Sequence, residues 1–157
     1  MSQTPPPALP DNVVEVLNAT RGGFNTLIGL TFTQVSYDEV CAEIPVRSEL
    51  HQPYGLVHGG IYSTMIETLA SVGAAMTAMP RGQTTVGLEN STSFLKAVRD
   101  GTLHGRATPL TRGRRTQVWE VSIRDDADKL VATGRVRMIC LEGGAAVAGE
   151  KVGLKSS

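Results

Sequence analysis

The chain has 157 residues, 15 basic side chains balanced by 15 acidic ones, 41% hydrophobic residues and only 4% aromatic ones. That length suits one domain with a sizeable core, and the balanced charge argues against a nucleic-acid surface or an acidic interaction tail. Cys41 and Cys140 lie far apart in separate apolar, strand-like runs, which predicts reduced thiols in a cytoplasmic protein rather than a disulfide. Three histidines, with no Cys-x-x-Cys or His-x-x-x-His spacing, argue against a metal site.

Residues 1–10 are Pro-rich and expected to be disordered. No basic region followed by an apolar run opens the chain, so no signal peptide is expected. Asp11 is a candidate cap for a short helix carrying Val13, Val14, Val16 and Leu17 on its apolar side, ended by Gly22-Gly23. Two strands, 31–37 and 40–46, turn at Asp38-Glu39. Residues 52–57, with Pro53 and Gly55, form a loop. A long helix starts at Gly59 and stops near Pro80. Four strands follow, 84–95, 101–108, 116–124 and 130–141, separated by short Gly, Asp and Arg clusters as in an antiparallel meander. Trp119, Val121 and Ile123 alternate with Val118, Glu120 and Ser122, which buries one face of the third. The pattern divides into an N-terminal segment, 1–20, one domain, 21–142, and a loose tail, 143–157.

Two strands, one apolar helix and four more strands predict an α+β fold. A single helix covers one face of an antiparallel sheet of about six strands. The other face and the edges invite a second copy of the chain, so a homodimer is expected. The helix is long enough to cross a bilayer. It carries Ser63, Thr64, Glu67, Thr68, Ser71 and Thr77, however, which fits a buried helix of a soluble protein and no membrane association.

Glu67 is the one Asp, Glu, Lys or Arg between Leu50 and Pro80. A carboxylate among Met, Ile, Leu, Ala and Val is costly to desolvate, by several kcal/mol if unpaired, so its retention points to chemistry. His58-Gly59-Gly60 opens the same helix. First-turn N–H groups have no intrahelical partner and sit at the positive end of the macrodipole. They could therefore serve as an oxyanion hole, with Gly59 as the main donor and Gly60 in support. A tight loop-to-helix turn would need the same two glycines.

Glu67 follows Gly59 by eight residues, about 12 Å along a helix axis. One carbonyl cannot meet both groups of a single helix, so two subunits are expected to supply them. Ser71, four residues beyond Glu67, shares its face and could hold the carboxylate or a water, or bond its own backbone. Gln52 could donate to the carboxylate or a water. His58 could orient substrate or assist a leaving thiolate, or make a structural hydrogen bond. Lys96 and Arg99 follow one strand, and Arg112-Gly113-Arg114-Arg115 opens another, a pattern that suits phosphates as well as a solvated hairpin end.

The spacing of Gln52, His58-Gly59-Gly60, Glu67 and Ser71, then Val86-Gly87-Leu88-Glu89-Asn90, then Gly113-Arg114-Arg115-Thr116-Gln117-Val118-Trp119, resembles hotdog-fold acyl-CoA thioesterases. More narrowly it resembles the PaaI-like branch of the Arthrobacter-type 4-hydroxybenzoyl-CoA thioesterase and the 1,4-dihydroxy-2-naphthoyl-CoA hydrolases, over about residues 27–142. The resemblance implies a homotetramer of two hotdog dimers with active sites at the dimer interface. It implies Glu67 as nucleophile or general base and the Gly59 amide polarising the thioester carbonyl. Gln52 and His58 would position substrate and leaving group, and Ser71 would orient water or Glu67. Lys96, Arg114 and Arg115 are the candidates for the CoA phosphates. The expected reaction is hydrolysis of an aroyl- or other acyl-CoA to free acid and CoA, with no metal or redox cofactor. Two alternatives remain open: a hotdog enoyl-CoA hydratase or dehydratase, and a noncatalytic acyl-CoA-binding hotdog protein.

Overall fold

The structure is a computed structural model that describes residues 6–152; the first half of the Pro-rich segment and the last residues of the tail lie outside them. Two short helices, α1 (Val13–Ala19) and α2 (Gly22–Ile28), precede strands β1 (Thr31–Val35) and β2 (Val40–Pro45). The long helix α3 (Gly59–Ala78) follows, then β3 (Gln83–Phe94), β4 (Thr102–Arg112), β5 (Thr116–Arg124) and β6 (Leu130–Glu142). All six strands pair antiparallel in the order β1-β2-β4-β5-β6-β3. The expected antiparallel sheet around one helix is therefore present.

Five features differ from the sequence reading, the first being that Asn12, making no side-chain cap bond, stands at the start of α1 in place of Asp11. Gly22-Gly23 does not end the helical region but opens α2, which stops at Gly29 in the left-handed conformation (φ +78°). β3 is not part of a meander: it lies at the far edge, bonded to β6, and β4 joins β2 instead. β4 runs past Pro109 because its register slips between Pro109 and Thr111, where a missing N–H breaks no regular ladder. Beyond Glu142, Ala146–Val147 and Glu150–Lys151 pair as a small separate hairpin with exposed side chains.

α3 packs on the sheet through Tyr62, Met65, Ile66, Leu69, Ala70, Gly73, Ala74 and Ala78, the i, i+3, i+4 series of one helical face. Its centre is fixed by β5. A Cβ on Gly73 would come within 2.5 Å of the ring of Trp119, which is fully buried. Glycine thus lets helix and indole meet. Beside them the buried Gln117 accepts from Thr77 Oγ1 (2.8 Å) and Trp119 Nε1 (3.0 Å) and donates to the Ala74 carbonyl (3.2 Å). This buried polar network is satisfied on both ends of the amide, so it orients the helix without leaving an orphan. Among the described residues no helix is long and apolar enough to cross a membrane.

Both cysteines are free thiols. Burial, reinforced by the neighbouring Glu39 carboxylate, pushes the Cys41 thiol up to about 11.

Candidate active site

With its apolar face committed to the middle of the sheet, α3 carries small and polar side chains on the flank between edge strand β3 and α2. Ser63, Thr64, Glu67, Thr68 and Ser71 are all half-buried on that side. Glu67 is consequently not enclosed by aliphatic side chains, as the sequence suggests; it lines a cavity of about 590 Å³ between α3 and α2, together with Arg21, Asn25, Ser63, Thr64 and Thr68. Neutral donors hold the carboxylate. Asn90 Nδ2 donates to Oε2 at 2.9 Å and also to the Ser63 carbonyl at 3.1 Å, while Ser71 Oγ reaches Oε1 at 3.4 Å. Ser71 thus bonds the carboxylate rather than its own backbone.

The strand β3 makes room for this arrangement. Its register with β6 slips between Gly87 and Glu89, leaving Leu88 unpaired. Such bulges re-aim side chains next to functional sites. At the bulge, a Cβ on Gly87 would lie only 2.6 Å from Glu67 Oε1, so the absent side chain is the space that the carboxylate occupies.

The other half of the predicted site is assembled at the start of α3. His58 is extended (φ −63°, ψ 134°) and caps the helix, its Nδ1 accepting the Gly60 N–H at 2.9 Å. The Gly60 amide, expected to support an oxyanion, is therefore engaged in the cap. With Nδ1 so engaged, Nε2 is the ring nitrogen left to donate. Gln52 Oε1 accepts the Tyr54 N–H at 2.6 Å, which orients the side-chain amide. Arg99, read from sequence alongside Lys96 as a phosphate candidate, donates to the Tyr54 and Gly55 carbonyls (3.0 and 3.2 Å) and clamps this loop. A cavity of about 290 Å³ runs along the region, lined by Gln52, Gly59, Tyr62, Phe94, Leu95 and Lys96 among others.

The structure therefore brings Gln52, Gly59 and Lys96 to one cavity, with His58 capping the helix beside it, and Glu67, held by Ser71, to another cavity about two helical turns away. Arg114 and Arg115 join neither. Arg114 lies by Gln83, whose Nε2 donates to its carbonyl (3.2 Å), at the opposite end of β3 from Phe94 and Lys96. A twelve-residue strand spans roughly 36 Å, so one protomer does not gather the three cations into a single site. Arg114 instead faces Glu142 at 3.9 Å in an exposed pair. Sequence reasoning missed Asn90 and Gly87 as supports of Glu67, although both lie in the Gly-Leu-Glu-Asn run. It also missed the α2 residues, because Gly22-Gly23 read as a stop, and Tyr62, which looked like any core aromatic.

Comparison with known proteins agrees with this architecture. The sequence profile of the thioesterase superfamily matches residues 54–132. A Mycobacterium tuberculosis protein, Rv1847, named provisionally as an esterase, is 43% identical over 121 residues, covering 76% of this chain and 86% of its own. Its solved structure superposes with a TM-score of 0.75 over 79% of this chain and 98% of that one. The proofreading thioesterase EntH of Cronobacter sakazakii is 38% identical over 124 residues, covering 78% of this chain and 90% of EntH. A mutant of thioesterase PA1618 from Pseudomonas aeruginosa superposes with a TM-score of 0.80 at 29% identity, over 87% of this chain and 97% of that one. The chain belongs to the thioesterase superfamily and is a thioester hydrolase of the hotdog fold.

Proposed function

We propose that the protein hydrolyses an acyl-CoA thioester, an aroyl-CoA among the candidates, to the free acid and CoA. Glu67 of one subunit would act on a carbonyl held by the Gly59 amide of a second copy. The observation that carries this reading is the division of the site. The carboxylate and the helix-tip amide lie on one straight helix about 12 Å apart, in separate cavities, each lacking the other's chemistry. A two-fold axis that sets two α3 helices antiparallel pairs each carboxylate with the other tip, giving two complete sites. Edge strand β3, with exposed Leu88 and Phe94 and with Leu95 just beyond its end, favours association on this side. Pairing of two such dimers would give the homotetramer.

In this site the Gly59 N–H, preorganised at the positive end of α3, donates to the carbonyl oxygen and stabilises the negative charge that develops on it. One such donor is worth roughly 3–4 kcal/mol in the barrier. Glu67 either attacks the carbonyl carbon to give an acyl anhydride, which water then opens, or takes a proton from a water that attacks. In both routes the C–S bond breaks and CoA leaves as the thiolate. The Gln52 Nε2 group and the His58 Nε2–H are donors available to the carbonyl or the departing sulfur. Lys96, beside Gly59, would meet CoA as it enters; Arg114 and Arg115 could join only from another subunit. Neither route uses a metal or redox cofactor.

A thiol-release assay across benzoyl-, hydroxybenzoyl-, naphthoyl- and fatty acyl-CoAs tests the proposal. Glu67→Gln, which keeps volume and removes charge, is expected to lower kcat by about 10²–10⁴-fold or more. Near-normal turnover by that variant refutes it, and an absence of thiol release with every substrate would favour a noncatalytic binding protein.

A further inference from the structure

Tyr62 is the largest polar-tipped side chain on the buried face of α3. The residue is 3% exposed, and its hydroxyl is sealed from solvent with no hydrogen-bond partner. A buried O–H without an acceptor destabilises the fold, whereas phenylalanine would fill the same space without that cost. The hydroxyl thus finds no hydrogen-bond partner within the protomer.

Its position is informative. Tyr62 stands three residues after Gly59, on the same side of the helix, and helical side chains lean back toward the N-terminus, here toward the Gly59 turn. Its ring packs on Phe94 with centroids 5.9 Å apart, and the Phe94 ring in turn covers Gly59, where a Cβ would meet it at 2.9 Å. Tyr62, Gly59 and Gln52 line the same cavity. Desolvation also raises the phenol above its ordinary range, so it remains a neutral donor wherever a thioester is stable.

We infer that the Tyr62 hydroxyl is a second hydrogen-bond donor to the thioester carbonyl oxygen, satisfied only when substrate enters the Gly59 cavity. This rests on the acyl-thioester reading given above. The O–H donates and keeps its proton, while the backbone amide and the phenol share the oxyanion that forms and then collapses with loss of thiolate.

Tyr62→Phe tests this, because it deletes one oxygen atom. The expected result is a fall in kcat of about 100-fold, the usual effect of removing one oxyanion donor, with KM nearly unchanged and the melting temperature equal or higher. Unchanged kcat overturns the inference while leaving the thioesterase reading intact. A rise in KM alone overturns it too, since it places the hydroxyl on a part of the substrate that does not change during reaction. A lowered melting temperature with unaltered kcat per folded molecule would show a structural hydroxyl. Failure of the wild-type protein to hydrolyse any acyl-CoA would instead sink the underlying reading.

Discussion

Replacing Gly87 by alanine places a methyl group 2.6 Å from Glu67 Oε1, where ordinary contact begins near 3.4 Å. The carboxylate must retreat by about 0.8 Å, which disturbs the position in which Asn90 Nδ2 holds it at 2.9 Å. Misplacing a reacting group by about 1 Å costs on the order of 100-fold in rate, equivalent to roughly 2.7 kcal/mol in the barrier. Stability should hardly respond. Gly87 is exposed, lies on an edge strand and has no positive φ, so alanine brings no backbone strain. A change within about 1 kcal/mol shifts the melting temperature by only 2–4 °C for a chain of this size. The assay pairs thiol-release kinetics with thermal denaturation. Wild-type kcat in Gly87→Ala would refute the claim that the bulge positions Glu67, and a collapse in melting temperature would show the glycine to be structural.

Gly73→Ala gives the opposite pattern. Its methyl would lie 2.5 Å from the fully buried Trp119 ring, which has no space to yield, so overpacking should cost about 1–3 kcal/mol of stability while kcat per folded molecule is retained. Denaturant unfolding measures the first and active-site titration the second. His104 supplies a pH dependence away from the site. It bridges Asp126 (2.8 Å) and Glu43 (3.2 Å), and the Asp126 hydrogen bond, then the Glu43 one, raises it above its ordinary 6.5. A raised folded value means that its stabilisation is complete below the unfolded value and is lost as pH rises through the folded one. Melting temperature should therefore fall from mildly acidic to mildly alkaline pH, and His104→Gln should flatten that slope; an unchanged slope would contradict the assignment.

The elements that sequence made legible were those with one dominant period. The buried series of α3 repeats every three or four residues, and Trp119, Val121 and Ile123 alternate along β5 as their spacing requires. α2 escaped because two glycines disfavour helix; Gly29, in a left-handed cap at its end, was the overlooked signal. The place of β3 escaped because strand order depends on long-range pairing that no local pattern encodes. At the site, the separation of Glu67 from Gly59 followed from helix rise alone. The supports of Glu67 did not, since Asn90 lies 23 residues away on another element and Gly87 contributes only by having no side chain. Gly60 misled for a local reason: an extended histidine before a helix is itself a cap, and it takes the amide that was expected to be open.

The central claim, one carboxylate and one helix-tip amide from different subunits, is tested most directly by a mixed dimer. One partner carries Glu67→Ala. The other carries Gly59→Pro, which deletes the first helical N–H at a position where proline is well tolerated and where the extended His58 already suits a following proline; the Phe94 ring must shift to admit it. Each variant alone should be nearly inactive. Purified heterodimers should recover about half the wild-type activity, because one of the two shared sites then has both groups intact. Heterodimers no more active than their parents would contradict the account.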